Sequence, residues 1–236
     1  MDSKEYMDSL LDDNKKSSEH IYTHQLKNRI LYPYFPTMVI DNFYDEPDLV
    51  RDFALDQEFF KGQRGSWPGL RTKLFHENNM PMLQVFWDKL LFYIRDYGYT
   101  GFSQFQTAFH MVDASYGRGW VHDDDPKLNI AGVIYLNEKA PLGSGTVIYN
   151  DKEDINLDEY ADKFMKDVLS ETPEEREPYQ QYREEQTKLF DKTITMESVF
   201  NRCIIFDTRC WHSAEEFFGN SVDTNRLTQV FFVRAE

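Results

Sequence analysis

The sequence predicts an α+β domain in which helices come first and a sandwich or jelly roll of short strands comes after them. Two observations carry that prediction. Apolar residues recur at helical spacing up to about residue 97, and from Phe105 onward short β-branched and aromatic runs alternate with turn residues. At 236 residues, with 41% hydrophobic and 16% aromatic content, the chain can bury one core rich in ring faces.

Residues 1–30 are densely charged with little periodicity, and read as an arm ahead of a single domain over 31–236. Thr37 to Ile40 is the first expected strand. Asp45-Glu46-Pro47 then opens a helix, with an acidic cap, proline in the first turn, and Leu49, Val50, Phe53 and Ala54 at helical spacing. Gly62 to Gly69 marks a loop. A second helix over 81–97 places Met82, Val85, Phe86, Leu90, Tyr93 and Ile94 on one face and stops at Gly98. The strands expected after it are 105–112, 130–136, 146–149, 203–206 and 226–233.

Asp151 to Thr195 interrupts that series. It carries 14 acidic and 7 basic residues, −7 of the net −15 charge. Leu157, Tyr160, Ala161, Phe164 and Val168 form one helical face behind a capping box at Asn156 and Glu159. A second helix starts near Thr172-Pro173 or Pro178 and turns Tyr179, Tyr182, Leu189 and Phe190 inward. The stretch reads as a helical insertion between strands, a solvated cover in preference to a substrate lid.

A net charge of −15 repels nucleic-acid backbones and anionic lipid, which argues against both as general partners. No apolar run is long enough for a membrane span, and the polar, acidic stretch Met1 to Lys16 lacks the core of a secretory leader. Cys203 and Cys210 read as reduced thiols, too few for a disulfide framework or a four-thiolate site. A cytoplasmic location is then expected by elimination.

The chemistry starts at His122-Asp123-Asp124. On an extended backbone residues i and i+2 share a face, so His122 and Asp124 can grip one ion while Asp123 points away. His212, shortly after the strand at 203–206, is the third candidate ligand. Two histidines and one carboxylate on one face of an octahedron leave three positions open, which suits iron(II) that must also take a co-substrate and O2. His-x-Asp alone is a weak motif, and the residues later in the chain strengthen it. Arg226 opens the last strand, and alternation puts Arg226, Thr228, Val230 and Phe232 on one face. An arginine facing a β core calls for an anion, and its planar fork suits a carboxylate. His110, on the strand at 105–112, reads as a hydrogen-bonded core histidine. His20 and His24 receive no role. Trp120 and Trp211 flank two ligands in sequence, and Arg118 and Asp113 lie near the expected pocket entrance.

His122-x-Asp124, the strand Gly132-Val133-Ile134-Tyr135-Leu136-Asn137, the turn Gly143-Ser144-Gly145-Thr146, His212 and Arg226 come in the order seen in prolyl 4-hydroxylase-like 2-oxoglutarate/Fe(II) dioxygenases, which the chain resembles over roughly 105–233. The resemblance implies a distorted double-stranded β-helix, a jelly-roll variant. It implies Fe(II) on His122, Asp124 and His212, and 2-oxoglutarate as co-substrate with its distal carboxylate on Arg226 and the Thr228 hydroxyl. It carries Tyr135 over to that carboxylate, and Tyr116, taken as lying on the strand entering the His-x-Asp turn, to the co-substrate. The implied reaction couples oxidative decarboxylation of 2-oxoglutarate by O2, giving succinate and CO2, to hydroxylation of a C–H bond in a small molecule or a peptide side chain. The 90 residues between His122 and His212 exceed the spacing of compact members, and the acidic insertion accounts for the excess. Two other classes compete: a zinc-type hydrolase, which leaves Arg226 and Tyr135 without a shared task, and a non-catalytic jelly-roll binding or structural protein.

Overall fold

The computed structural model describes residues 34–61, 67–152 and 155–236; the expected arm at 1–30, with His20 and His24, lies outside them, as does 62–66 of the expected loop. Residues Pro36–Glu236 form one compact unit. Its strands are β1 (Met38–Ile40), β2 (Phe60–Lys61), β3 (Leu70–Arg71), β4 (Phe102–Val112), β5 (Ile130–Tyr135), β6 (Thr146–Asp151), β7 (Phe190–Met196), β8 (Cys203–Asp207), β9 (Trp211–Ala214) and β10 (Arg226–Ala235). Helices α1 (Pro47–Leu55), α2 (Phe75–Asn78) and α3 (Met80–Ile94) precede β4, and α4 (Asp158–Leu169) and α5 (Pro173–Thr187) lie between β6 and β7.

The strands form two antiparallel sheets, one in the order β1-β8-β5-β10-β4-β3-β2 and the other β7-β6-β9. The central strand β10 is aromatic and β-branched, and both its faces are covered. Phe231 points outward onto Phe86 of α3, with ring centroids 5.0 Å apart, and Phe109 of β4 meets Phe75 of α2 at 4.8 Å. The inner face meets the small sheet: Ala131, Tyr135, Ile204 and Phe206 pack with Ile148 and Met196, and Phe232 seals that cluster. Among the described residues no helix is long and apolar enough to cross a membrane.

Several local expectations are corrected. Glu46 flanks α1 without a side-chain capping bond, so proline at the first turn starts that helix unaided. The buried stripe of α3 is Leu83, Phe86, Leu90 and Ile94, whereas Val85 is 46% exposed. A 3-10 turn comes after the helix and ends at Gly98, whose φ of +90° favours glycine. Asn156 accepts a bond from the Asp158 N–H without capping α4 through a box; the box forms on α5, between Thr172 and Glu175. The expected insertion is also shorter than 151–195, because Phe190–Met196 pairs with β6 as β7. Finally, α5 turns Arg176, Arg183, Gln186 and Thr187 inward, with Tyr179 and Tyr182 only half-buried.

Candidate metal centre

His122 and His212 face each other across an isolated antiparallel bridge. His122 N–H donates to the His212 carbonyl at 3.0 Å and His212 N–H to the His122 carbonyl at 2.8 Å. Directly opposed residues present their side chains on one face, so the two rings meet with centroids 4.3 Å apart. Two residues on, Asp124 returns to that face, fixed by its N–H on the Thr208 carbonyl at 2.8 Å. Each residue thus offers one ligand atom, all within 4.8 Å of one another.

The ring tautomers are set from behind. His122 Nδ1 donates to the Trp120 carbonyl at 2.9 Å and His212 Nδ1 to the Cys210 carbonyl at 3.0 Å, which leaves both Nε2 atoms as acceptors. Burial and the neighbouring His122 push the His212 imidazole down to about 3, so it is neutral. Asp124 Oδ2 is buried with no hydrogen-bond partner among the described residues, and burial raises its carboxyl above the usual range. Three converging acceptors without a donor between them suit a cation, and this donor set could hold a divalent metal.

Arg226 opens β10 on the inner face, because its register places Thr228 opposite both His110 of β4 and Tyr135 of β5. Its guanidinium is buried, 5.5 Å from the Tyr135 ring and 5.6 Å from the Phe217 ring, and Nε donates to the Ser144 carbonyl at 3.3 Å. Burial lowers its pKa, and the Tyr135 hydroxyl opposes that shift. Among the described residues no carboxylate forms an ion pair with it. Tyr135 donates to Thr146 Oγ1 at 2.8 Å, and Thr228 donates to the His110 carbonyl at 3.4 Å. Tyr116 sits in a 3-10 turn (Ala114–Tyr116), not on a strand; it packs on Phe217 and lies under the Arg176 guanidinium at 4.1 Å. His110 is a buried core histidine donating from Nε2 to the Pro68 carbonyl at 2.6 Å, kept neutral by burial and by Arg71.

The insertion helices grip the ligand-bearing segment from outside. Asp167 of α4 accepts from Trp120 Nε1 at 2.6 Å. Gln186 of α5 brackets Val121, accepting from its N–H at 2.9 Å and donating to its carbonyl at 2.8 Å. These are the two residues before His122, so the insertion buttresses the metal-facing turn. Asp113 caps its own turn, accepting from Ser115 N–H at 2.8 Å. Sequence reading missed Gln186, Asp167 and Arg71. The first two are polar residues among the apolar positions by which those helix faces were read, and Arg71 lies on a strand too short to show a period.

A family model described as a family of unknown function (DUF6445) matches residues 28–233. No curated protein matches the chain. Among solved structures, HygX from Streptomyces hygroscopicus with nickel and 2-oxoglutarate bound matches with a TM-score of 0.54 and 10% identity, over 90% of this chain and 88% of that one. The same protein with nickel, 2-oxoglutarate and hygromycin B bound gives 0.53 and 10%, over 89% and 88%. A prolyl-4-hydroxylase from Pseudomonas putida gives 0.49 and 13%, over 85% and 92%. At these identities the HygX likeness is one of fold.

Proposed function

The chain belongs to DUF6445, a family of unknown function, and we propose that it is a 2-oxoglutarate- and Fe(II)-dependent dioxygenase that hydroxylates a C–H bond of a small molecule or peptide. One observation carries the reading. Arg226, a buried guanidinium with no acid partner among the described residues, lies on the inner face of the large sheet, and the three-acceptor cluster of His122, Asp124 and His212 abuts the core on that face through Phe206. A buried charge is stable when paired, and since no described residue supplies the acid, a bound anion fits Arg226. A dicarboxylate that chelates a metal at one end satisfies both features at once. HygX, which shares the fold, is seen with 2-oxoglutarate and nickel. From β4 through the His122 bridge to β10 the chain passes back and forth between the two sheets, except that β6 and β7 are neighbours in the small one, and we read that order as a double-stranded β-helix.

In this reading His122, Asp124 and His212 hold Fe(II), with both imidazoles aimed by the backbone carbonyls on Nδ1. Bound iron supplies the O2 chemistry that turns 2-oxoglutarate into succinate and CO2 and places the second oxygen atom on the substrate. Arg226 takes the distal carboxylate through its fork, Tyr135 flanks it, and Thr228 offers a hydroxyl from the same face. Phe206, with its ring 4.6 Å from that of His212, and Phe232 keep the inner face apolar beside the metal and exclude water. The test is anaerobic titration of the whole protein with Fe(II) and 2-oxoglutarate. We expect the weak visible band of the chelate, and its absence together with no succinate formation in air would sink the reading.

A further inference from the structure

We propose that Arg71 and Trp67 form a carboxylate socket beside the candidate metal centre, and that it receives the substrate's carboxylate. The link to hydroxylation rests on the oxygenase reading; the socket rests on its own geometry. A cavity of about 660 Å³ opens along β3 and β4, walled by Phe60, Trp67, Arg71 and Phe232. The Arg71 guanidinium lies 4.5 Å over the Trp67 ring and 5.8 Å from the Phe232 ring. Arg71 Nε and Trp67 Nε1 are both buried, and neither has a hydrogen-bond partner among the described residues. Both atoms can only donate, so the partner they call for is an acceptor. A guanidinium fork with an indole N–H beside it, on an aromatic floor, fits a carboxylate.

Charge points the same way. The chain carries −15 overall, yet the cavity is lined by Lys61, Arg71 and Lys73 against one acid, Glu77. Lys61 Nζ already donates to the Leu169 and Ser170 carbonyls, and Lys73 Nζ faces the Phe60 ring at 5.9 Å. Arg71 is therefore the directional cation of this cavity. Its place in the fold ties it to the metal cluster: Arg71 pairs with His110, and His110 pairs with Thr228, so Arg71 shares the inner face with Arg226. Phe232, on the cavity wall, packs against the cluster containing Phe206, whose ring touches that of His212. Arg226 has different neighbours, Tyr135 and Phe217, so the two guanidinium groups serve two anions.

The carboxylate could belong to a free acid or to an acidic peptide side chain, and the test separates these. Full-length protein loaded with nickel(II), with and without 2-oxoglutarate, is titrated calorimetrically with free and N-acetylated amino acids, each against its primary amide. A parallel arm compares Asp- and Glu-containing peptides with their Asn and Gln counterparts. At least one acid should bind about tenfold or more tighter than its amide, the size of a charged hydrogen-bonded contact. Arg71→Gln should erase that preference while leaving 2-oxoglutarate affinity within about twofold, and Arg71→Lys should keep part of it. No acid preferred over its amide, or a preference that survives Arg71→Gln, overturns the socket. Loss of 2-oxoglutarate binding in Arg71→Gln assigns Arg71 to the co-substrate and overturns it too. An Arg71-dependent acid preference in a protein that binds no 2-oxoglutarate upholds the socket and removes the oxygenase reading.

Discussion

Arg183 on α5 and Arg226 on β10 are buried to a similar degree, 1% and 4% exposed, and they are held in opposite ways. Arg183 meets Asp167, and both side chains are 2% exposed; the same Asp167 oxygen accepts from Trp120 Nε1. Arg226 meets a carbonyl and two aromatic rings and, among the described residues, no acid. A paired buried arginine stabilises the fold through its partner, and removing either member strands the other. An unpaired one costs stability until a ligand supplies the anion. Under the proposed function the difference separates a structural ion pair from a binding group, and each side of it can be tested.

The largest expected effect falls on the metal cluster. Asp124→Ala should abolish metal-dependent 2-oxoglutarate binding, seen as loss of the anaerobic chelate band. In that background Arg226→Met should change little more, because its ligand is already lost. A full band in Asp124→Ala would show that the ligand set is wrong.

The paired arginine predicts a loss of stability instead. Asp167→Ala leaves Arg183 and Trp120 Nε1 buried without their acceptor, and breaking such a pair costs about 3–5 kcal/mol. Urea unfolding of the double variant Asp167→Leu, Arg183→Met should show a smaller loss than either single change, since nothing charged is stranded. A loss below about 1 kcal/mol in Asp167→Ala would place this pair with exposed ones.

Arg226 should behave in reverse. Arg226→Met should weaken 2-oxoglutarate by about thirtyfold or more, from the roughly 2–5 kcal/mol of a buried charged contact. Without ligand its unfolding free energy should hold or rise, because an unpaired buried charge has gone. Lysine at 226 should restore part of the affinity, keeping charge but losing the fork. Equal affinity in wild type and Arg226→Met would mean that the anchor lies elsewhere.

The same contrast explains what could be read from the sequence. That His122 and Asp124 share a face, and that Arg226 shares one with Thr228, was legible because strand parity is strict, whereas His212 came in only by its place after the strand at 203–206. The helix faces were less so. On α5 the periodicity of Tyr179 and Tyr182 pointed inward, but the face that is buried carries Arg176, Arg183 and Gln186, which bond to Ser115, Asp167 and Val121, partners that no local pattern encodes. On α3 the core of the expected stripe, Phe86, Leu90 and Ile94, is buried, and only its flank differs, with Leu83 inside and Val85 exposed, since neighbouring apolar residues compete for that edge. β7 went unseen because Asp191 to Thr195 is exposed along its whole length and shows no alternation. The strand carrying Arg71 is two residues long and owes its place to β4.

The smallest expected effect tests whether the insertion acts on the metal through position alone. Gln186 touches no ligand atom; it holds Val121 at both its N–H and its carbonyl, one residue before His122. Gln186→Leu keeps volume and removes both bonds, leaving the Val121 N–H and carbonyl short of partners. Outer supports of metal ligands are worth about 10–100-fold in metal affinity, and this one acts through a backbone step, so about tenfold is expected. Gln186→Glu should restore part of it, because a carboxylate still accepts from the Val121 N–H but no longer donates to the carbonyl. The readout is a split: metal affinity falls, while 2-oxoglutarate affinity at saturating metal stays close to wild type, since Arg226 is anchored on β10. Loss of both in proportion would mean that Gln186 only stabilises the fold. Loss of neither would mean that the backbone pair between His122 and His212 holds the cluster without help from the insertion.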